Sequence, residues 1–130
     1  MIQQPTTAEE ASAFKQLLAE PAYIAGGYGL LEQVDAITGA LAVLRPQSAL
    51  PAVIRATARL NQEDYDQAER ILRDEALSAE PDSAMAKAHL GLAMKLQGRT
   101  NESERLLQSL TTDTDDPDAA VLASQVLLRH

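Results

Sequence analysis

Glu63-Asp64-Tyr65-Asp66-Gln67-Ala68 is a polar turn that runs into a small residue. It has two counterparts in this chain of 130 residues: Gly29-Leu30-Leu31-Glu32-Gln33-Val34 before it and Gly98-Arg99-Thr100-Asn101-Glu102-Ser103 after it. The three begin at residues 29, 63 and 98, spacings of 34 and 35. Self-similarity at such a period marks an architecture of repeated supersecondary units, each too small to bury its apolar face alone. Every copy lies between two helical patterns and opens the second of them, where a tight turn and a small residue are needed.

Working outward, the breakers are Pro21, Gly26-Gly27 with Gly29, Pro46, Pro81, Gly98 and Pro117, and no alternating strand of useful length lies between them. Thr7 with Glu10 makes a capping box for a first helix to about residue 20, which Pro21 ends or bends. A second helix is expected over 31–44, with Val34, Ile37, Leu41 and Leu44 at helical spacing. Ser48 caps a third over 49–61, which tolerates Pro51 in its first turn. Asp64 with Gln67 opens the next, to about 77, and Asp82 or Ser83 opens the one that Gly98 closes. Asn101 with Glu104 caps another, and Pro117 after Asp116 starts the last. Alanine supplies 23 residues and leucine 19, against four aromatics (Phe14, Tyr23, Tyr28, Tyr65). That balance suits closely packed helices. Small residues such as Ala56, Ala68 and Gly91 let helix axes approach, and Leu72 and Leu107 fill the space between hairpins.

This pattern resembles the tetratricopeptide repeat, a helix–turn–helix unit whose turn typically reads Gly-Asp-Tyr-Glu-Glu-Ala. The third copy matches best, with Leu90-Gly91 for the family's Leu-Gly pair, Met94 at the aromatic position, then Gly98, Ser103, Leu107 and Leu110. The second has Ala56, Asp64-Tyr65, Ala68 and Leu72, with Pro81 one place late. The first has Val34, Leu41 and Pro46, but Pro21 interrupts its first helix and three glycines crowd that helix's end. The resemblance implies an all-α, tetratricopeptide-like superhelical stack of about three helix hairpins. Residues 1–130 form one domain, with repeats at about 15–47, 48–82 and 83–115, an additional N-terminal helix, and a capping helix at 117–129.

The remaining features argue against chemistry. Eleven basic residues against nineteen acidic leave a net charge of −8, and no Lys/Arg block compensates it, so a nucleic-acid partner is not expected. With no cysteine there is neither a disulfide nor a thiolate metal site. No run approaches the ~20 apolar residues of a membrane span. Met1 to Glu10 lacks the basic start and apolar centre of a signal peptide, so a cytoplasmic protein is expected. Gly26-Gly27-Tyr28-Gly29 has no preceding strand and no Lys-Ser/Thr pair, and therefore reads as close helix packing or a helix end rather than a phosphate loop. His89 and His130 have no second imidazole at ligand spacing. The cluster Asp113, Asp115, Asp116 and Asp118 lacks the central glycine and twelfth-position Glu of a calcium loop, since position 124 is a serine. No nucleophile elbow or Ser-x-x-Lys surrounds the serines. The expectation is therefore no catalytic residue, no metal ligand, no cofactor and no enzymatic activity.

Tetratricopeptide stacks bind peptides or helices in a concave face lined by the first helix of each hairpin. Carried across residue by residue, the resemblance gives that groove Leu50, Val53, Thr57 and Leu60 from the second copy. The third supplies Met85, Ala88, Leu92 and Leu96 with Lys95 at the edge, and the first supplies Tyr23. The carboxylate clamp of the co-chaperone version is missing, because its positions fall on Ile54, Met85 and His89. A narrower likeness lies in Leu44-Arg45-Pro46, in Asp64-Tyr65-Asp66-Gln67-Ala68-Glu69-Arg70-Ile71-Leu72-Arg73 and in Ala86-Lys87-Ala88-His89-Leu90. These resemble small bacterial type III secretion proteins, namely the needle-subunit chaperones and the related pathogenicity-locus family. The likeness implies a virulence-associated cytoplasmic chaperone that holds the amphipathic helix of a secreted or self-assembling subunit, together with a small helical co-chaperone. The alternative is a homo-oligomeric scaffold or adaptor of a larger apparatus, in which apolar faces drive homodimerisation.

Overall fold

Among the residues that the structure describes, three take a positive φ, and they are the first residues of the three recurring stretches: Gly29 (73°), Glu63 (61°) and Gly98 (84°). Each closes a helix in the same way. The residue after it donates its N–H back to a carbonyl five positions earlier: Leu30 to Ala25 (2.9 Å), Asp64 to Arg59 (2.9 Å) and Arg99 to Met94 (3.0 Å). That left-handed cap turns the chain back on itself, and glycine adopts it without steric penalty. The 34- and 35-residue spacing is thus a recurrence of one turn geometry.

The computed structural model describes residues 15–112 and 115–129. Among these, seven helices pack in adjacent pairs and no strand occurs. A π-helical turn, Lys15–Ala19, runs into α1 (Glu20–Gly27), and α2 is Leu31–Leu44. Then come α3 (Leu50–Asn61) and α4, which starts as Tyr65–Ile71 and continues through the π-helical Leu72–Ala76 to a last turn, Leu77–Ala79. The chain ends with α5 (Ala84–Leu96), α6 (Thr100–Gln108) and α7 (Pro117–Leu128). The hairpins are α1–α2, α3–α4 and α5–α6, followed by α7. Each second helix packs on its own partner and on the first helix of the next pair, while α1, α3, α5 and α7 touch in succession. Three apolar clusters result, one at each junction: α1–α2 with α3, α3–α4 with α5, and α5–α6 with α7.

The caps are largely those expected. Asp64 accepts from the Gln67 N–H (3.3 Å), Ser83 from Ala86 (3.1 Å) and Asp116 from Ala119 (3.1 Å). At α3, Ser48 accepts from Leu50 (3.1 Å), and Glu80, from the far end of the hairpin, accepts from Ala49 (2.9 Å). Two expectations are corrected. Pro21 does not end a helix but sits in the first turn of α1, where its missing N–H is harmless after the π-helical turn. Asn101 is not a cap either, because the turn at Gly98 places the boundary at Arg99 and leaves Asn101 inside α6. The Thr7–Glu10 capping box lies outside the described residues.

Close approach is visible where small residues were expected. A Cβ on Gly91 would stand 2.5 Å from Leu107 Cδ2, and one on Gly26 would stand 3.1 Å from Ala58 Cβ. Ala56, Ala68, Leu72 and Leu107 are fully buried. Ser103 donates its hydroxyl to the Gly91 carbonyl (2.6 Å), which fastens α6 to α5 at their closest point. Charged groups stitch the outside. Arg55 on α3 bridges Asp35 of α2 and Glu75 of α4, and Arg59 also reaches Asp35 (3.2 Å).

Candidate functional site

Arg55 and Arg59 point toward the second helices, so the opposite side of α3 carries Leu50, Thr57 and Asn61. On α5, Leu90 and Met94 join the core made with α4, and Gly91 faces α6. The side away from these carries Met85, His89, Leu92 and Leu96. Met85, His89 and Leu92 are half-buried, and Leu96 is 45% exposed. Tyr23 is the α1 member, its outer part open and its hydroxyl pKa pushed up by burial.

Of the ten residues expected to line a groove, three belong to the core. Val53 (1% exposed) and Leu60 (9%) lie in the cluster joining α3, α4 and α5, and Ala88 (0%) lies in the cluster with α6 and α7. The reason is that α3 and α5 each have helices on several sides, so the flanks of their open face are already covered by the next first helix. Lys95 is committed as well. Its ammonium donates to the carbonyls of Val126 and Arg129, a cation set at the C-terminal end of α7 where the helix dipole favours it. Tyr23, Leu50, Thr57, Met85, Leu92 and Leu96 remain at least partly open.

The open face carries little charge. Thr57 donates its hydroxyl to the Val53 carbonyl (2.8 Å). His89 directs Nδ1 at the Met85 carbonyl (2.8 Å), and burial lowers its pKa from the ordinary 6.5, which keeps the ring neutral at neutral pH. Among the described residues no group of three or more His, Asp or Glu side chains is placed to hold a metal. No described helix is long and apolar enough to cross a membrane. What remains is an uncharged, half-open apolar strip across α1, α3 and α5, which can bury a partner's apolar side chains.

The model of the bacterial type III secretion protein family HrpB1_HrpK matches residues 7–130. The chain belongs to that family. The match covers all three hairpins and α7, and the family description names a secretion protein rather than a catalytic activity. A search of curated proteins finds no match. The type III secretion assignment therefore agrees with the narrower likeness in the sequence at the level of the system.

Proposed function

We propose that this protein is a protein-binding module of the type III secretion apparatus, and that the face of α1, α3 and α5 receives an amphipathic helix. The carrying observation is the half-open apolar strip Leu50, Met85, Leu92 and Leu96, with Thr57 and His89 satisfied internally so that no polar group there demands a charged partner. Helix-in-groove recognition uses apolar anchors at helical spacing, and this strip offers them purchase on two neighbouring helices. The tetratricopeptide resemblance supports the same face.

In its finer form the protein is a chaperone that holds a secreted subunit in the bacterial cytoplasm and keeps it from assembling early. Binding of the secreted subunit's amphipathic helix to the purified chain, followed by calorimetry, tests this. Leu96→Asp puts a charge on a side chain that is 45% exposed in the free protein, so the fold should persist while affinity falls at least tenfold. A folded Leu96→Asp chain with wild-type affinity overturns the reading. Cell fractionation distinguishes the two roles, because recovery with envelope components rather than with unassembled subunit favours the scaffold.

A further inference from the structure

The first helices of the stack can be laid over one another position by position. The left-handed turn residues Gly29, Glu63 and Gly98 set the register of α1, α3 and α5. The N-caps Ser83 and Asp116, each accepting from the N–H three residues on, set that of α5 and α7. In this register Ile24 of α1 stands where α3 has Ala58, α5 has Ala93 and α7 has Val126. Those three are buried, each in the cluster that its helix forms with the hairpin before it. Leu17, in the turn leading into α1, likewise matches Pro51, Ala86 and Ala119, all of them buried. Yet Ile24 is 62% exposed and Leu17 73%.

The other end of the described stack shows the converse. Val121 of α7 stands where the preceding first helices have Ala19, Val53 and Ala88. Those three are buried in the clusters formed with the first helix that follows. Leu128 matches Gly26 and Leu60, both buried, and the half-buried Lys95. Yet Val121 is 55% exposed and Leu128 77%. Terminal units of a repeat stack need a polar outer face to stay soluble. Here both ends keep apolar side chains at the positions that the interior of the stack buries.

We propose that α7 of one copy packs on α1 of a second copy, head to tail, so that the stack continues from molecule to molecule. The pairing inside the chain identifies the occupant. At each internal junction the position of Val121 shares a cluster with the position of Ile24: Ala19 with Ala58, Val53 with Ala93, and Ala88 with Val126. Each end therefore presents one half of a contact that this chain makes three times within itself, and a second copy supplies the other half. Ile24 and Leu17 are larger than most of the residues they match, so this junction stands wider than the internal ones. Neither half carries a charge at its centre. Leu17, Pro21 and Ile24 form one, and Val121, Gln125 and Leu128 the other, so bodies of net charge −8 can meet there. A contact between unlike faces propagates rather than closing as a two-fold dimer does.

The proposal is independent of helix capture by the open face of α1, α3 and α5. Sedimentation of the full chain across the micromolar range should show assemblies that lengthen with concentration instead of stopping at a dimer. Ile24→Asp and Val121→Asp each place a charge on a side chain that is already exposed. Each should melt as the wild type does, while self-association weakens at least tenfold. Mixed in equal amounts, the two variants should pair, because the first keeps a sound α7 face and the second a sound α1 face. That pair should grow no further. Leu96→Asp should associate as the wild type does, which separates the two surfaces. The chain has no cysteine, so Ile24→Cys and Val121→Cys report the contact directly. A short bis-maleimide should join the two cysteine variants in a mixture and neither with itself. A monomeric wild type, an aspartate variant that associates like the wild type, a mixture of the two that stays monomeric, or a cross-link within one cysteine variant overturns the proposal.

Discussion

Gly91 offers a sharp test of how closely α5 and α6 approach. Adding a single methyl group, Gly91→Ala, sets two effects against each other. Alanine gains about 1 kcal/mol of helix propensity over glycine in a helix interior. Against it, the new Cβ would stand 2.5 Å from Leu107 Cδ2, 2.6 Å from Cγ and 3.2 Å from Cδ1. Ordinary carbon contacts lie near 3.5–4.0 Å, so Leu107 would have to retreat by roughly 1 Å. It has little room, because it is fully buried in a cluster with Ala84, Ala88, Ala119 and Ala123. The close atoms include Cγ, so rotating the tip of the side chain does not relieve the clash. Overpacking of this kind costs about 1–3 kcal/mol, and more when the backbone is also pinned. The Ser103 hydroxyl pins it here, through its bond to the Gly91 carbonyl.

The expected result of Gly91→Ala is therefore a net loss of about 1–2 kcal/mol, the clash exceeding the propensity gain. Urea unfolding followed by circular dichroism at the helix band measures it. Leu107→Ala alone should cost about 2–5 kcal/mol by leaving a cavity. In that background Gly91→Ala should change sign and stabilise by up to about 1 kcal/mol, since the clashing atoms are gone and the propensity remains. A Gly91→Ala chain as stable as wild type, or a double variant whose losses simply add, refutes the close contact between α5 and α6.

The remaining predictions concern single sites. Glu63 holds a left-handed conformation that Gly29 and Gly98 adopt in the equivalent turns, so Glu63→Gly should raise stability by about 0.5–1 kcal/mol after the added freedom of the unfolded chain is counted; a lower melting temperature would show that the Glu63 side chain has a role of its own. Glu69 gives a pH dependence. Burial raises its carboxyl pKa, but hydrogen bonds from Arg99, Arg73 and Gln97 outweigh that and hold it at about 2, against the ordinary 4.5. Because the folded value is the lower one, this carboxylate's stabilisation is complete above about pH 4.5 and fades as pH falls toward 2. Glu69→Gln should lose stability at neutral pH and flatten the acid limb of a stability-against-pH curve, and an unchanged limb would remove Glu69 from its causes. The weakened capture expected of Leu96→Asp completes the set.

The repeat was readable because it rests on local chemistry. A left-handed turn wants glycine, a helix start wants Asp or Ser, and both signals recur at a fixed interval whatever packs around them. For this reason α2 matches its expected span of 31–44, and the caps at Asp64, Ser83 and Asp116 fall where the residues place them. Pro21 misled because proline reads as a stop wherever helix precedes it, whereas the π-helical turn before it makes Pro21 part of a helix start. Asn101 misled because a capping-box pattern cannot override a turn already fixed by Gly98 and Arg99.

The site was less legible for a geometric reason. Apolar spacing identifies the buried stripe of a helix that has one neighbour, but α3 contacts α1, α2, α4 and α5. Val53 and Thr57 share a helical face by period, yet Val53 is sealed against the next hairpin while Thr57 stays partly open. Four residues of spacing cannot separate a groove from its wall. The same ambiguity hid α2, whose Val34 and Leu41 give a buried stripe that any surface helix would show. Val43 and Leu44 look like more core until the structure leaves them exposed, whereas Leu31 and Ile37 pack partly buried against the cluster with α1 and α3. The exposure of Val43 and Leu44, against the charged faces of α4 and α6, distinguishes the first hairpin from the other two. A repeat that copies its turns faithfully but not its outer faces keeps the fold constant and varies the surface, and in such a stack the departures from the repeat are where partners are to be sought.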